Sequence, residues 1–386
     1  MDRFVYLGGR LPFSVSSNTI FAFVSGLFCG IGGIKLLYKF FPGIKVVNGE
    51  ERKIREDFVD LIGNTPMVCI QSLSKETGCR ILGKCEYLNP GGSSKDRVAK
   101  NIVLEAEARG VLKKGGVIVE GTSGSTGISL AQVAKAKGYE CYIVMPDDQA
   151  EEKSNILKAL GAKIKLVKPA SIVNQGHYVN EARKLSKEIE GGFFANQFEN
   201  LSNFRAHACY TGQEIWEQCD GDIDCFVMSS GTGGTISGVG TFLKAQNPKI
   251  IVALADPQGS SLYHKIESGV LYTQEQAERT LKRHRYDTIT EGIGSDRLTT
   301  NMAAGLQSID EAHRVTDKET TLMARYILQN DGLFIGSSSA LNLVVAKKLA
   351  LRLGPGHTIV TILCGSGSRE LTKLHNPEYI KQHLNI

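Results

Sequence analysis

From about residue 56 onward, short β-branched runs alternate with amphipathic helical stretches, and this alternation over roughly 300 residues restricts the fold more than any other feature. It demands parallel sheets covered by helices on both faces. The expected strands are 67–70, 81–85, 116–119, 141–145, 163–167, 193–195, 225–228, 250–255, 333–336 and 358–363. One open sheet rarely holds so many, so two α/β lobes are expected. The helical stretches 128–137 and 147–160 stop at Gly138 and Gly161, as left-handed C-caps would have it. We expect a larger lobe from 51–95 and 201–386, and a smaller mobile one from 96–200.

Parallel sheets bind ligands beyond the carboxyl ends of their strands. The chemistry should therefore lie in the loops that follow strands, and four of these are rich in glycine and hydroxyls. One runs through Thr122, Ser123, Gly124, Ser125 and Thr126, and another through Gly231, Thr232, Gly233, Gly234 and Thr235; each then opens a helix. Backbone amides at a helix start, with small hydroxyls beside them, can hold a carboxylate or phosphate. Ser337-Ser338-Ser339 and Gly365-Ser366-Gly367-Ser368 follow two further strands. Any one such loop is usually a plain strand-to-helix connection with an N-cap; four on one edge ask for a ligand. It is not a dinucleotide: Ile236 stands where the fingerprint needs glycine, and no GxxxxGK[ST] occurs. Lys95 follows a Pro90-Gly91-Gly92-Ser93-Ser94 bend and precedes a helix. Alone it would read as a solvated surface lysine; beside anion-ready loops it becomes the candidate reactive group.

Charge excludes one large class. The net +5 comes from 45 basic and 40 acidic residues without a basic run, so no nucleic-acid partner is expected. The nine cysteines show no CxxC pair and no zinc-ligand spacing, which points to a reducing compartment and no metal.

The run 11–34 carries no charge and departs from the rest of the chain. As a helix it would span roughly 36 Å, against a hydrocarbon core of roughly 30 Å. A cleaved secretory signal, a mitochondrial transit peptide and a retained anchor are the three readings. No Ala-x-Ala-like site follows the apolar core, and only Arg3 and Arg10 precede it, whereas Lys35, Lys39, Lys45, Arg52, Lys53 and Arg55 follow. The expectation is thus an N-terminal hydrophobic helix within 1–50, anchoring a body that stays in the cytosol.

The order of the motifs is more specific than any one of them. Gly63-Asn64-Thr65-Pro66, Asn89-Pro90 through Lys95-Asp96-Arg97, Thr122-Ser123-Gly124, Gly231 to Thr235 and Glu291-Gly292-Ile293-Gly294 occur in the order found in cysteine synthases and cystathionine β-synthases. Over roughly residues 56–370 the chain resembles these pyridoxal-phosphate enzymes of fold type II, and in detail their fungal mitochondrial members. The resemblance implies pyridoxal 5'-phosphate as cofactor, with Lys95 as the lysine that carries it and moves the proton. It makes Gly231, Thr232, Gly233, Gly234 and Thr235 the phosphate cradle, with Gly292 and Ser125 further cofactor contacts. Thr122, Ser123, Gly124, Thr126 and Gln197 become the grip on the amino-acid carboxylate. By the same resemblance Ser338 would face the pyridine nitrogen with Ser366 as its neighbour, and His207 would stand at the mouth of the cleft.

The reaction that the resemblance implies is β-replacement, O-acetylserine plus sulfide giving cysteine plus acetate. Cystathionine β-synthase or serine/threonine dehydratase chemistry is the alternative on the same fold. No regulatory repeat pair follows residue 370, and the N-terminal segment lacks the Cys/His context of a haem-binding extension, which disfavours a full-length regulated cystathionine β-synthase. A homodimer and a mitochondrial address, at the outer membrane or in the interior after transit-peptide cleavage, come from the resemblance too. One departure stands out: Ser125 replaces the asparagine that contacts the cofactor's ring hydroxyl, and a catalytically weak, membrane-tethered protein is the reading it keeps open.

Overall fold

The computed structural model describes residues 3–6, 45–48, 54–122, 124–149, 151–272 and 288–384. The chain divides after Glu56. In the first part Arg3–Tyr6 (β1) and Lys45–Asn48 (β2) pair antiparallel, Arg3 opposite Asn48. The run 11–34, expected as an apolar helix, lies outside the described residues; among those described, no helix is long and apolar enough to cross a membrane.

From Asp57 the chain builds two sheets. It first lays down Met67–Cys69 (β3) and Arg80–Lys84 (β4). It then leaves to form a four-stranded parallel sheet from Val117–Gly121 (β5), Glu140–Pro146 (β6), Lys163–Val167 (β7) and Gly192–Phe194 (β8), in the order β7-β6-β5-β8. It returns with Cys225–Ser229 (β9), Ile251–Pro257 (β10), Glu311–Val315 (β11) and Thr358–Ile362 (β12). These complete a six-stranded sheet, β11-β10-β9-β12-β4-β3, parallel except for β3 at one edge.

Successive side chains of a strand point to opposite faces, and both faces here are covered. Cys225 and Val227 pack with Ile81, Ala253 and the helix Ser337–Leu353, whereas Phe226 and Met228 pack with Leu82, Leu254 and the helix Gly234–Gln246. A continuous apolar strand such as β9, buried at every position, is the outcome. In the smaller layer the helix Lys95–Ala108 buries Val98, Ala99, Ile102 and Val103 against Ile118 of β5 and Ile128 and Ala131 of the helix Ser125–Lys137. Lys95 therefore stands where the chain passes from one layer to the other.

Two strand expectations are corrected. The stretch 333–336 makes only an isolated bridge from Ile335 to Ser366. Gly332 ends the preceding helix with φ 69°, the next helix starts at Ser337, and both edges of β12 are already taken by β4 and β9. Conversely, β11 was not expected. Its sequence Glu-Ala-His-Arg-Val buries only Ala312 and Val315, since it pairs with β10 alone at the open edge. The helices expected over 128–137 and 147–160 start at Ser125 and Glu151, and Gly138 is the left-handed C-cap at φ 76°.

Candidate active site

The loops that follow β4, β5, β8, β9 and β12 line one cavity of about 370 Å³. Among the residues expected to form a site, Lys95, Thr122, Ser125, Thr126, Gln197, Gly231, Thr232, Gly233, Thr235, Gly292, Ser338 and Ser366 all border it. Gly124 and Gly234 are not among the residues that border it, and Ser123 lies outside the described residues.

Lys95 owes its position to the bend before it. A Cβ at Gly91 would stand 2.3 Å from Gln132 Oε1 and 2.5 Å from Asp96 Oδ1, and Gly92 has φ +82°, so the turn accepts only glycine at both places. Asp96 accepts from Gly91 N at 2.6 Å and from Ser129 Oγ at 2.5 Å, while Arg369 donates to the Gly91 carbonyl. Lys95 Nζ lies 3.3 Å from Ser94 Oγ. Burial pushes its ammonium pKa below the ordinary lysine value, against the pull of Cys364, Glu86 and Asp96. A lysine poised toward the free amine can act as nucleophile and base.

Beneath this bend sits a buried ion network. Arg97 Nε and Nη2 donate to Glu86 at 2.8 and 2.9 Å, and Nη1 and Nη2 donate to Glu214 at 2.6 and 2.7 Å. Lys84, wholly buried, donates to Glu214 Oε2 at 2.7 Å and to the Thr65 carbonyl at 2.6 Å. Both guanidinium edges are thus used in bidentate pairs, which locks the first turn of the helix that Lys95 begins.

The loop after β9 is pressed tight. A Cβ on Gly231 would meet Gly292 O at 2.2 Å, one on Gly234 would meet Asn203 Oδ1 at 2.1 Å, and Gly233 has φ +84° with Met302 Cβ 2.5 Å from its own Cβ position. Asn203 Nδ2 donates to Thr232 Oγ1 at 2.8 Å, and Thr299 Oγ1 donates to the Thr232 carbonyl at 2.7 Å. The first-turn amides of the helix Gly234–Gln246 have no acceptor within the helix. A shallow, rigid, amide-lined cup at a helix start fits a phosphate dianion, and with Lys95 on the same cavity the residues fit pyridoxal phosphate.

Across the cavity, Thr126 Oγ1 donates to Gln197 Oε1 at 2.6 Å, and Gln197 Nε2 donates to the Gly121 carbonyl at 3.3 Å. The two stretches expected to grip a carboxylate are therefore joined. Thr122 Oγ1 accepts from Gly124 N at 3.2 Å; Gly124 has φ +150°, and a Cβ there would strike Lys153 Cδ at 2.3 Å. Ser366 Oγ accepts from Ser368 N at 3.2 Å and from Ser368 Oγ at 3.0 Å. Ser338 bonds to the Cys364 thiol, whose pKa burial raises and Lys95 lowers.

His207 departs from its expected place. It is wholly buried behind Thr235 and does not stand at the mouth. Cys364 and the cluster of Lys153, Glu291 and Lys373 went unforeseen. Glu291 accepts from both lysines, and although burial raises its carboxyl pKa, Lys153 and Lys373 hold it below the usual range. Glu291 belongs to a motif read only for its glycines, and no spacing pointed to partners so far away in sequence.

Comparison with known proteins agrees with this geometry. A family model described as pyridoxal-phosphate dependent enzyme matches residues 59–365. Cysteine synthase 2 of Schizosaccharomyces pombe is 48% identical over 371 residues, covering 93% of this chain and 94% of its own. A Saccharomyces cerevisiae protein, provisionally named a mitochondrial cysteine synthase, is 50% identical over 329 residues, covering 83% and 84%. Among solved structures, that of O-ureido-L-serine synthase superposes with a TM-score of 0.74 at 30% identity, over 86% of this chain and 96% of that one.

Proposed function

The chain belongs to the pyridoxal-phosphate-dependent enzymes, and we propose that its cavity makes cysteine from an activated serine, O-acetylserine, and sulfide, releasing acetate. The observation that carries this reading is the single cavity shared by Lys95, the cup of Gly231 to Thr235 and the Thr126–Gln197 pair: an amine, an anion cup and a carboxylate grip. When bound, the cofactor supplies an aldehyde carbon for amines and an electron-withdrawing ring that acidifies the α-carbon of an attached amino acid.

This chain's own residues would do the rest. Lys95, its amine favoured by burial, would carry the cofactor at rest, take the α-proton once freed, and return it at the end. Gly231, Thr232, Gly233, Gly234 and Thr235 would hold the phosphate, with Gly292 closing the loop behind Gly231. Thr122, Thr126 and Gln197, with Ser123 and Gly124 shaping the loop, would fix the substrate carboxylate. Ser338 would offer a neutral hydroxyl to the ring nitrogen, and Ser125 would line the side opposite Lys95.

We assign residues 51–95 and 201–386 to the cofactor lobe and 96–200 to a mobile substrate lobe, on the support of the two sheets and the Lys153–Glu291 tie between them. A homodimer is adopted on family resemblance. The provisional name of the yeast relative and the uncharged run 11–34 support a mitochondrial protein tethered at the outer membrane with its body in the cytosol. Carbonate extraction that released the protein would remove the tether.

The deciding experiment is a spectral titration of the purified protein with O-acetylserine, serine and phosphoserine, followed by sulfide or homocysteine. Cysteine from O-acetylserine and sulfide is the expected product. Cystathionine from homocysteine, or a keto acid without any thiol, would replace this reading with one of the two alternatives.

A further inference from the structure

Behind the anion cup lies a chain of three side chains, Thr235, His207 and Thr211, of which only Thr235 borders the cavity. His207 opens a π-helical turn, His207–Thr211, and residue 211, four positions on, lies beside the imidazole of residue 207. Its Nδ1 lies 3.0 Å from Thr211 Oγ1 and its Nε2 3.1 Å from Thr235 Oγ1. Neither His207 nor Thr211 is exposed at all. Gly238 keeps the geometry: a Cβ there would sit 2.6 Å from Phe204 O and 2.9 Å from both Ala208 N and His207 Cβ, so the helix bearing Thr235 rests directly on the π turn.

Burial, and then the positive charges of Lys95 and Arg97, push the His207 pKa far below its ordinary value despite Glu214, so the ring is neutral. A neutral imidazole has one N–H and one bare nitrogen. With the proton on Nδ1, Nε2 would accept a hydrogen bond from the Thr235 hydroxyl, and Thr235 would turn only lone pairs toward the cup. With the proton on Nε2, the ring donates to Thr235, whose own O–H is then free for an anion. The Thr211 hydroxyl can serve either arrangement, accepting from Nδ1–H in the first and donating to a bare Nδ1 in the second; an anion in the cup, which needs a donor, favours the second.

We propose that His207 carries its proton on Nε2, with the Thr211 hydroxyl donating to Nδ1, and that this chain makes Thr235 a hydrogen-bond donor to the anion in the Gly231-to-Thr235 cup. The inference rests on the reading of that cup as the cofactor's phosphate site. Thr211 and His207 are positioning residues, acting through Thr235.

The holoenzyme, labelled with nitrogen-15 at histidine, tests this directly: His207 should give the spectrum of an Nε2-protonated ring, and an Nδ1-protonated ring overturns the proposal. Thr211→Val should weaken cofactor retention about tenfold and move the phosphorus-31 resonance of the bound cofactor, with Thr211→Ser restoring both. His207→Gln, whose amide N–H stands near the Nε2 position, should make the protein insensitive to Thr211→Val. An equal loss on either background would mean that Thr211 acts by packing, and the relay falls. Thr235→Val separates the two readings. It should weaken retention whether or not the relay exists, and if it leaves retention and resonance unchanged, the phosphate reading itself is wrong.

Discussion

Thr126 Oγ1 and Gln197 Oε1 meet at 2.6 Å, tying the start of the helix after β5 to the loop after β8. Since Thr126 occupies the Gln197 carbonyl, the glutamine's amide is held in one orientation, toward Gly121 and the cavity. A carboxylate arriving there would meet the second N–H of that amide already aligned. Gln197→Ala should raise the KM for the amino-acid substrate about tenfold, a loss of roughly 1–2 kcal/mol, with kcat and cofactor content little changed. Steady-state kinetics at saturating sulfide checks it, and an equal fall in kcat would assign Gln197 to the chemical step instead.

Lys95→Ala should remove the visible absorbance of covalently held cofactor and lower turnover by about a thousandfold or more, the range a positioned acid–base group supplies. Absorbance and cysteine formation measured on one preparation decide it. Colour and rate both preserved would end the assignment of Lys95.

Arg97→Met should leave Glu86 buried without its cation and cost about 3–5 kcal/mol, read as a lower denaturant midpoint. Because Arg97 lies two residues after Lys95 and fixes the same helical turn, cofactor retention should fall in step with stability. Loss of stability with unchanged retention would show that the network supports the fold alone.

Glu120 offers a prediction in pH. It is wholly buried on β5; burial pushes its carboxyl up to about 8, against the hydrogen bonds from Gln197, Gly121 and Asn196. The folded chain therefore keeps a proton that the unfolded chain gives up near pH 4.5. The stability from this group is complete below that lower value and drains away as pH rises to about 8, by up to about 1.4 kcal/mol per pH unit. Glu120→Gln should flatten the stability-against-pH curve between those limits. Parallel curves for the two proteins would place the titration elsewhere.

What could be read from the sequence was whatever repeats along the chain. β9 announced itself as an unbroken apolar run because both its faces are covered, and Gly231 to Thr235 announced a tight loop because glycine is the residue such a loop needs. β11 stayed hidden because an edge strand is recruited by its neighbour's backbone, and Glu311, His313 and Arg314 carry no apolar period. The stretch 333–336 misled for the opposite reason, being apolar where no strand edge was free. In the site, residue types pointed to Lys95 and the polar loops. The burial of His207 under Thr235, and the meeting of Lys153 with Glu291, depend on how the layers come together, which no local pattern encodes.

The strand order has a consequence for how the enzyme comes into being. β4, which leads into the Lys95 bend, takes as its parallel neighbour β12, so that Ile81 must wait for Ile359, and the bend is clasped by Arg369 later still. On a ribosome that delivers the chain from its N-terminus, the lysine emerges early and its seat almost last. A nascent or truncated chain ending before Arg369 therefore lacks the clasp on the bend that seats the lysine.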